Sequence, residues 1–263
     1  MLDLERLAAH IDQPGIDKDV GLDIIGLAPD LSLDDALRVQ MGAKRLKVAR
    51  GDAVVGWQAS FTSAAVQKMV PSMPPPMVGT LLSSLMRPDG AVVGFDGDFT
   101  VIECEIGVVL KRDLVGPYVT PVQALAAVEA YFPAIEVAPV RPGLLDGKWS
   151  NQHIIAVQKA EGGFVVTGSH LTSPRNFDPR VEGVVVSVDG KARASAAGVE
   201  TMGGPMNVLA AMANRLAAAG ECMRAGQIAI TGSLPPPQRV GADNVYAEAE
   251  FSHLGRVTVR FRD

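Results

Sequence analysis

The run Val101-Ile102-Glu103-Cys104-Glu105-Ile106-Gly107-Val108-Val109-Leu110 constrains this chain more than any other segment. Apolar and β-branched side chains dominate it, which is the composition of a strand covered on at least one face. Side chains of a strand alternate between faces, so Glu103 and Glu105 point one way and Ile102, Cys104 and Ile106 the other. Two carboxylates about 7 Å apart on a mostly buried strand repel each other and are costly to desolvate, so a positive group should compensate them. A hard divalent cation is the simplest such group. An ion pair with lysine or arginine, or an edge position facing solvent, also accounts for a glutamate pair of this kind.

Glu136 shifts the balance toward a metal. It stands between Ile135 and Val137 in a second strand-like stretch, residues 134–140, again where burial is expected. Three carboxylates with no cysteine or histidine at ligand spacing favour Mg²⁺ or Mn²⁺ over zinc and leave positions for water and a chelating substrate. The four histidines, His10, His153, His170 and His253, show no zinc-site spacing, and His253 reads as part of a surface turn. Thr62-Ser63 and Thr231-Gly232-Ser233 follow strand-like runs. Hydroxyls and amides there can bind a carboxylate, and ordinary strand-end turn chemistry explains them as well. The chain has no Ser-His-Asp motif, phosphate loop or dinucleotide fingerprint, and Gly203-Gly204 lacks the further glycines of the last.

With 48% hydrophobic and 20% charged residues over 263 positions, the composition is that of a soluble globular protein with ample core material. No repeat or composition shift divides it, so one domain over 1–263 is expected, with 1–50 a helical segment packed on the sheet. A net charge of -5 argues against nucleic acid or acidic membrane as partner, and the Lys44, Arg45, Lys47, Arg50 cluster reads as a solvated helix end. Only Cys104 and Cys222 occur, which suits a reducing compartment. Acidic Asp3 and Glu5 stand where a signal peptide needs a basic head, so a cytoplasmic location is expected.

Helices are expected over residues 3–12, ended by Pro14-Gly15, and from Ser32 to about Arg50, opened by the Ser32-x-x-Asp35 cap with Leu33, Leu37, Met41 and Val48 as its apolar face. Thr120-Pro121-Val122-Gln123 is a capping box for a helix with the stripe Leu125, Val128, Phe132, stopped by Pro133. A further helix over 205–219 carries Leu209, Met212 and Leu216 and closes at Gly220. Strands are expected over 53–60, 91–110 with a turn at Asp96-Gly97-Asp98, 134–140, 163–168, 181–188, 227–231, 245–252 and 256–262. The proline-rich residues 71–76 read as an extended rim or lid.

Several of these pieces, in this order and spacing, resemble the 2-oxo-acid hydratase and decarboxylase branch of the fumarylacetoacetate hydrolase superfamily. They are Leu31-Ser32-Leu33-Asp34-Asp35-Ala36, Val55-Gly56-Trp57, Phe61-Thr62-Ser63, Gly79-Thr80-Leu81-Leu82, Glu103-Cys104-Glu105-Ile106, Pro133-Ala134-Ile135-Glu136-Val137 and Ala225-Gly226-Gln227-Ile228-Ala229-Ile230-Thr231-Gly232-Ser233. The resemblance covers nearly the whole chain and implies an α+β fold, a distorted mixed β-roll with flanking helices. It implies a divalent metal, Mg²⁺ or Mn²⁺, held by Glu103, Glu105 and Glu136. It places Gln58, Thr62 and Ser63 at catalytic positions and Leu81, Thr231 and Ser233 at substrate-binding ones. The implied substrate is a small 2-oxo or 2-hydroxy-dienoic acid from aromatic-ring degradation, and the implied assembly is a homo-oligomer. The expected activity is that of a hydro-lyase. Decarboxylation, tautomerisation, C–C hydrolysis, or binding of a metal or 2-oxo acid without turnover are the alternatives.

The chain departs from that pattern at four polar places. Gln58 replaces the lysine of Gly-Trp-Lys, and Met77 replaces an acid two residues before Gly79. Ala138-Pro139-Val140-Arg141 stands for Asp-Ser-Arg, and Ala156-Val157-Gln158 for Ala-Asp-Asn. An amide at Gln58 supplies neither charge nor a titratable proton.

Overall fold

The computed structural model describes residues 3–12, 20–69, 75–94, 99–140, 154, 163–175 and 177–262. The Pro14-Gly15 break, residues 71–74 of the proline stretch, the Asp96-Gly97-Asp98 turn, His153, Arg141 and Ala156-Val157-Gln158 lie outside them. Three helices open the fold: α1 (Leu4–Ile11), α2 (Val20–Leu27) and α3 (Leu33–Ala49). Ser32 caps α3 by accepting the Asp35 amide at 3.1 Å, as the motif implies. The second helix was not expected; its short sequence is apolar apart from Asp23 and carries no clear amphipathic period.

The larger sheet runs in the order β2 (Met77–Leu82), β1 (Val54–Ser60), β10 (Ile228–Ser233), β5 (Phe99–Leu110), β6 (Val128–Val140), β7 (Phe164–Thr167), β3 (Met86–Pro88), with β11 (Gln238–Val240) also paired to β5. It is mixed: β1 lies parallel to β10 and β3 parallel to β7, while β5 is antiparallel to both β10 and β6. At about 4.8 Å per strand step a flat sheet of this order would separate β2 from β3 by roughly 29 Å. Yet only the 3₁₀ turn Ser83–Leu85 joins them, and so short a connection reaches about 14 Å at most. The sheet therefore curls, bringing its two edge strands toward each other.

Curling creates an inner face, and the pairing register assigns residues to it. Leu81, Phe132, Ala134, Val165 and Ile230 form a buried apolar plug there, with Met86, Val109 and Ile228 packed against it. Gly107 lies opposite Phe132, and a Cβ at Gly107 would fall 2.2 Å from the Phe132 ring. Glycine is thus required for the ring to lie across the interior. Gly107→Ala is expected to destabilise the fold by about 2 kcal/mol through overpacking, read from the urea midpoint.

On the outer face Trp57, Ile102, Cys104, Ile106 and Ile135 join the main core. Across that core sits a second sheet, β4 (Ala91–Gly94), β13 (Gly255–Arg262), β12 (Tyr246–Phe251), β8 (Gly183–Val188) and β9 (Lys191–Ala197) in that order. Helix α6 (Pro205–Ala218) buries Leu209, Met212 and Leu216 in the same core, as its stripe implies. The architecture is α+β: mixed, curled sheets with flanking helices. No helix among the described residues is long and apolar enough to cross a membrane.

Some expectations fail for identifiable reasons. The helix after Thr120, α5 (Pro121–Ala127), has its capping box but ends before Val128, which is already extended. Its buried residues are Ala124 and Ala127, while Leu125 is 44% exposed. Val128 and Phe132 belong instead to β6, because residues 128–140 pair along β5 and that non-local pairing outweighs helical spacing. Pro133 stops no helix. It sits within β6 opposite Ile106, and its missing N–H falls where the ladder to β7 ends, with the Gly168 amide donating to its carbonyl at 2.8 Å. Val48 is exposed, so the α3 stripe ends earlier. The basic cluster at the end of α3 is only partly solvated: Lys44 pairs with Glu221 and lies over the Trp57 ring, and Lys47 and Arg50 bind Asp12, Arg50 at 2.8 Å.

Candidate metal centre

Three carboxylates come together at one end of the inner face. Glu103 stands directly across from Glu136 on the neighbouring strand, and Glu105 follows on the same side of β5. One oxygen from each lies within 4.8 Å of the others. Glu105 is fully buried, Glu136 nearly so, and Glu103 partly exposed. Like charges placed directly across a strand pair destabilise it, and burial deepens the cost, so this arrangement fits a cation. The donor set is all oxygen. Cys104 points into the main core on the far side, and burial, followed by the two neighbouring glutamates, pushes its thiol well above the ordinary range. It therefore stays protonated and offers no thiolate ligand. Hard oxygen ligands of this kind suit Mg²⁺, Mn²⁺ or Ca²⁺.

The geometry around Glu105 is set by β10. A register shift between Ile230 and Ser233 inserts an extra residue there, and Gly232 takes a φ of +89°. Its amide donates to Glu105 Oε2 at 2.6 Å. The Thr231 hydroxyl donates to the Ile106 carbonyl at 2.9 Å and ties the bulge to β5. The Thr62 hydroxyl donates to the Thr231 carbonyl at 3.0 Å. Thr62, Thr231 and Glu105 thus form one connected network. Ser63 and Ser233 face local tasks: Ser63 Oγ accepts the Val66 amide at 3.4 Å ahead of α4 (Ala64–Met69), and Ser233 Oγ donates to the Pro235 carbonyl at 2.7 Å.

Gln58 lies on the same inner face as the carboxylates, in register with Ile230 on one side and Gly79 on the other. Its side chain is buried, its Nε2 makes a long contact of 3.5 Å to Ser60 Oγ, and its Oε1 finds no partner among the described residues. A buried amide oxygen in that condition is ready to accept a hydrogen bond from a ligand. Leu81 shares the inner face as part of the apolar plug, on the strand three places from β5. Met77 stands opposite Ser60 and packs with the N-terminal helices. Sequence reasoning missed the Gly232 amide as the group that holds Glu105. A glycine inside a strand pattern is the signal for such a bulge.

The model of the fumarylacetoacetate (FAA) hydrolase C-terminal family matches residues 51–262. The chain belongs to that family. It is 33% identical over 238 residues to the 2-hydroxyhexa-2,4-dienoate hydratase of Comamonas testosteroni, covering 89% of this chain and 88% of that protein. It is 30% identical over 263 residues to a 4-oxalocrotonate decarboxylase of Pseudomonas sp. strain CF600, covering 97% and 95%. Among solved structures, the 4-oxalocrotonate decarboxylase of Pseudomonas putida G7, complexed with magnesium and adipate, superposes with a TM-score of 0.85 at 28% identity, over 98% of this chain and 97% of that one. In this family member the curled sheet carries the carboxylates, and Gln58 faces the interior they line.

Proposed function

We propose that this protein is a divalent-metal-dependent lyase that hydrates a small 2-oxo or 2-hydroxy-dienoic acid. The observation that carries the reading is the cluster of Glu103, Glu105 and Glu136 on the inner face that also holds the apolar plug. The relatives named as hydratases support it. Glu103, Glu105 and Glu136 would hold Mg²⁺ or Mn²⁺, which would supply Lewis-acid stabilisation of negative charge on the substrate's 2-oxygen. The chain's own residues do the rest. The Gly232 amide fixes one oxygen of Glu105, and Leu81, Ile230 and Val165 exclude water from the floor. Gln58 Oε1 accepts a hydrogen bond and orients its donor without moving a proton, because an amide does not titrate. The reading places the protein in the cytoplasm, supported by the free Cys104 and Cys222. It also takes the protein as a homo-oligomer, supported by the exposed apolar side chains Val115, Tyr118, Val122 and Leu125.

Decarboxylation is the second reading, and Gln58 is what favours it. Hydration needs a group that moves protons to and from the chain and water, whereas decarboxylation needs only the electron sink and a later protonation. The purified protein with Mg²⁺ is expected to consume 2-hydroxypenta-2,4-dienoate, followed by loss of dienol absorbance. Carbon dioxide release from 4-oxalocrotonate, with the dienoate untouched, would assign the second reaction instead. Silence toward both substrates removes the lyase proposal. Gln58→Lys is expected to raise hydration, since it places a titratable ammonium on the face shared with the carboxylates. An unchanged rate would put this position outside the chemistry.

A further inference from the structure

We propose that Thr62 is a positioning residue that aims the Glu105 carboxylate through the peptide joining Thr231 to Gly232. The inference rests on reading Glu105 as a metal ligand. One peptide unit carries both contacts: its oxygen accepts the Thr62 hydroxyl at 3.0 Å, and its N–H, on Gly232, donates to Glu105 Oε2 at 2.6 Å. A peptide that accepts a hydrogen bond at oxygen becomes a stronger donor at nitrogen, so the two bonds reinforce each other. The charged end of the chain gains most, because a donor aimed at a carboxylate is worth more than one aimed at a neutral acceptor.

Steric fit gives Thr62 control over the orientation of that peptide. A Cβ on Gly232 would lie 1.9 Å from Thr62 Oγ1, so the threonine occupies the space that only a glycine leaves open. Thr62 and Thr231 are both buried, and the Thr231 hydroxyl is engaged elsewhere, on the Ile106 carbonyl. Thr62 is held in turn. Its carbonyl accepts the Met202 amide at 3.0 Å and Gln67 Nε2 at 3.2 Å. The preceding residue, Phe61, has a φ of +61°, a left-handed conformation that is uncommon for an aromatic residue. Strain of this kind persists where surrounding structure over-determines it, and here it turns the Thr62 hydroxyl toward the 231–232 peptide.

Calorimetric titration with Mn²⁺ tests the proposal on the full chain. Loss of a group that orients a metal ligand lowers affinity by roughly ten- to a hundredfold, and Thr62→Val, which keeps the shape and removes the donor, is expected to fall in that range. Thr62→Ser keeps the hydroxyl and is expected to stay within about threefold of the parent. Glu105→Asp draws the carboxylate away from the Gly232 amide and weakens binding by itself; in that background Thr62→Val is expected to add less than about twofold. A purely structural role would instead add in full, and that result, or parental affinity in Thr62→Val, overturns the proposal. If Thr62→Val does not fold by circular dichroism, Thr62→Ala carries the same comparison. Equal Mn²⁺ binding by the parent and Glu105→Ala would remove the metal reading itself, and the role of Thr62 with it.

Discussion

Replacing Glu105 with alanine is expected to lower divalent-cation affinity by about a hundredfold or more, some 3 kcal/mol. Glu105 is the member of the cluster with no solvent exposure, and its oxygen held by Gly232 gives the cluster a fixed reference point. Without it, Glu103 and Glu136 remain as an opposed pair across two strands, with too little charge to strip water from a hard cation. Added Mg²⁺ should raise the melting temperature of the parent and leave the variant unmoved. Calorimetry with Mn²⁺ and paired melts with and without Mg²⁺ read both effects. Retention of parental affinity would detach this carboxylate from the metal.

Glu182→Ala is the largest stability effect expected away from the cluster. Glu182 is fully buried just ahead of β8, and its Oε1 accepts the amides of His253 at 2.7 Å and Leu254 at 3.0 Å in the turn between β12 and β13. Truncation leaves both amides without their charged acceptor, one beside a fully buried Leu254, at a cost of about 3 kcal/mol. The same carboxylate also meets His253 Nδ1 at 2.8 Å, but that ring is 68% exposed and contributes under about 1 kcal/mol. His253→Ala should therefore be nearly neutral in urea unfolding while Glu182→Ala is not. Equal effects would show that the buried carboxylate does not anchor the turn. The Glu182 carbonyl accepts the Gly198 amide, and the segment beyond supports Thr62 through Met202, so loss of the anchor should also loosen the approach to the carboxylates.

Elements governed by local rules were legible before the structure. The Ser32 cap, the Thr120 capping box, α6 and the alternation that pairs Glu103 with Glu105 all rest on interactions a few residues apart. Non-local pairing was not legible. Nothing near Val128 announces that β5 claims it, and nothing in Met77–Leu82 separates a strand from the tail of a proline-rich loop. Strands β9 and β11 escaped notice for related reasons: one is rich in alanine and charge, and the other is three residues long. At the candidate site the carboxylates could be listed from the chain. Their meeting depends on the register that sets Glu103 against Glu136, and the clamp on Glu105 depends on a bulge in a different strand.

The short link Ser83–Leu85 between β2 and β3 has a consequence for how this protein behaves in a crowded solution. The outermost strands of an open sheet expose rows of amides and carbonyls that recruit strands from other molecules, and in this sheet those strands are β2 and β3. The tie leads straight into a β3 only three residues long that carries Arg87 and Pro88, which gives a passing chain little to zip onto at that margin. Asp52 secures the tie with bonds to Ser83 Oγ at 2.6 Å and Ser84 Oγ at 2.5 Å. The same link that makes the sheet curl thus works as a guard against fibrous self-assembly.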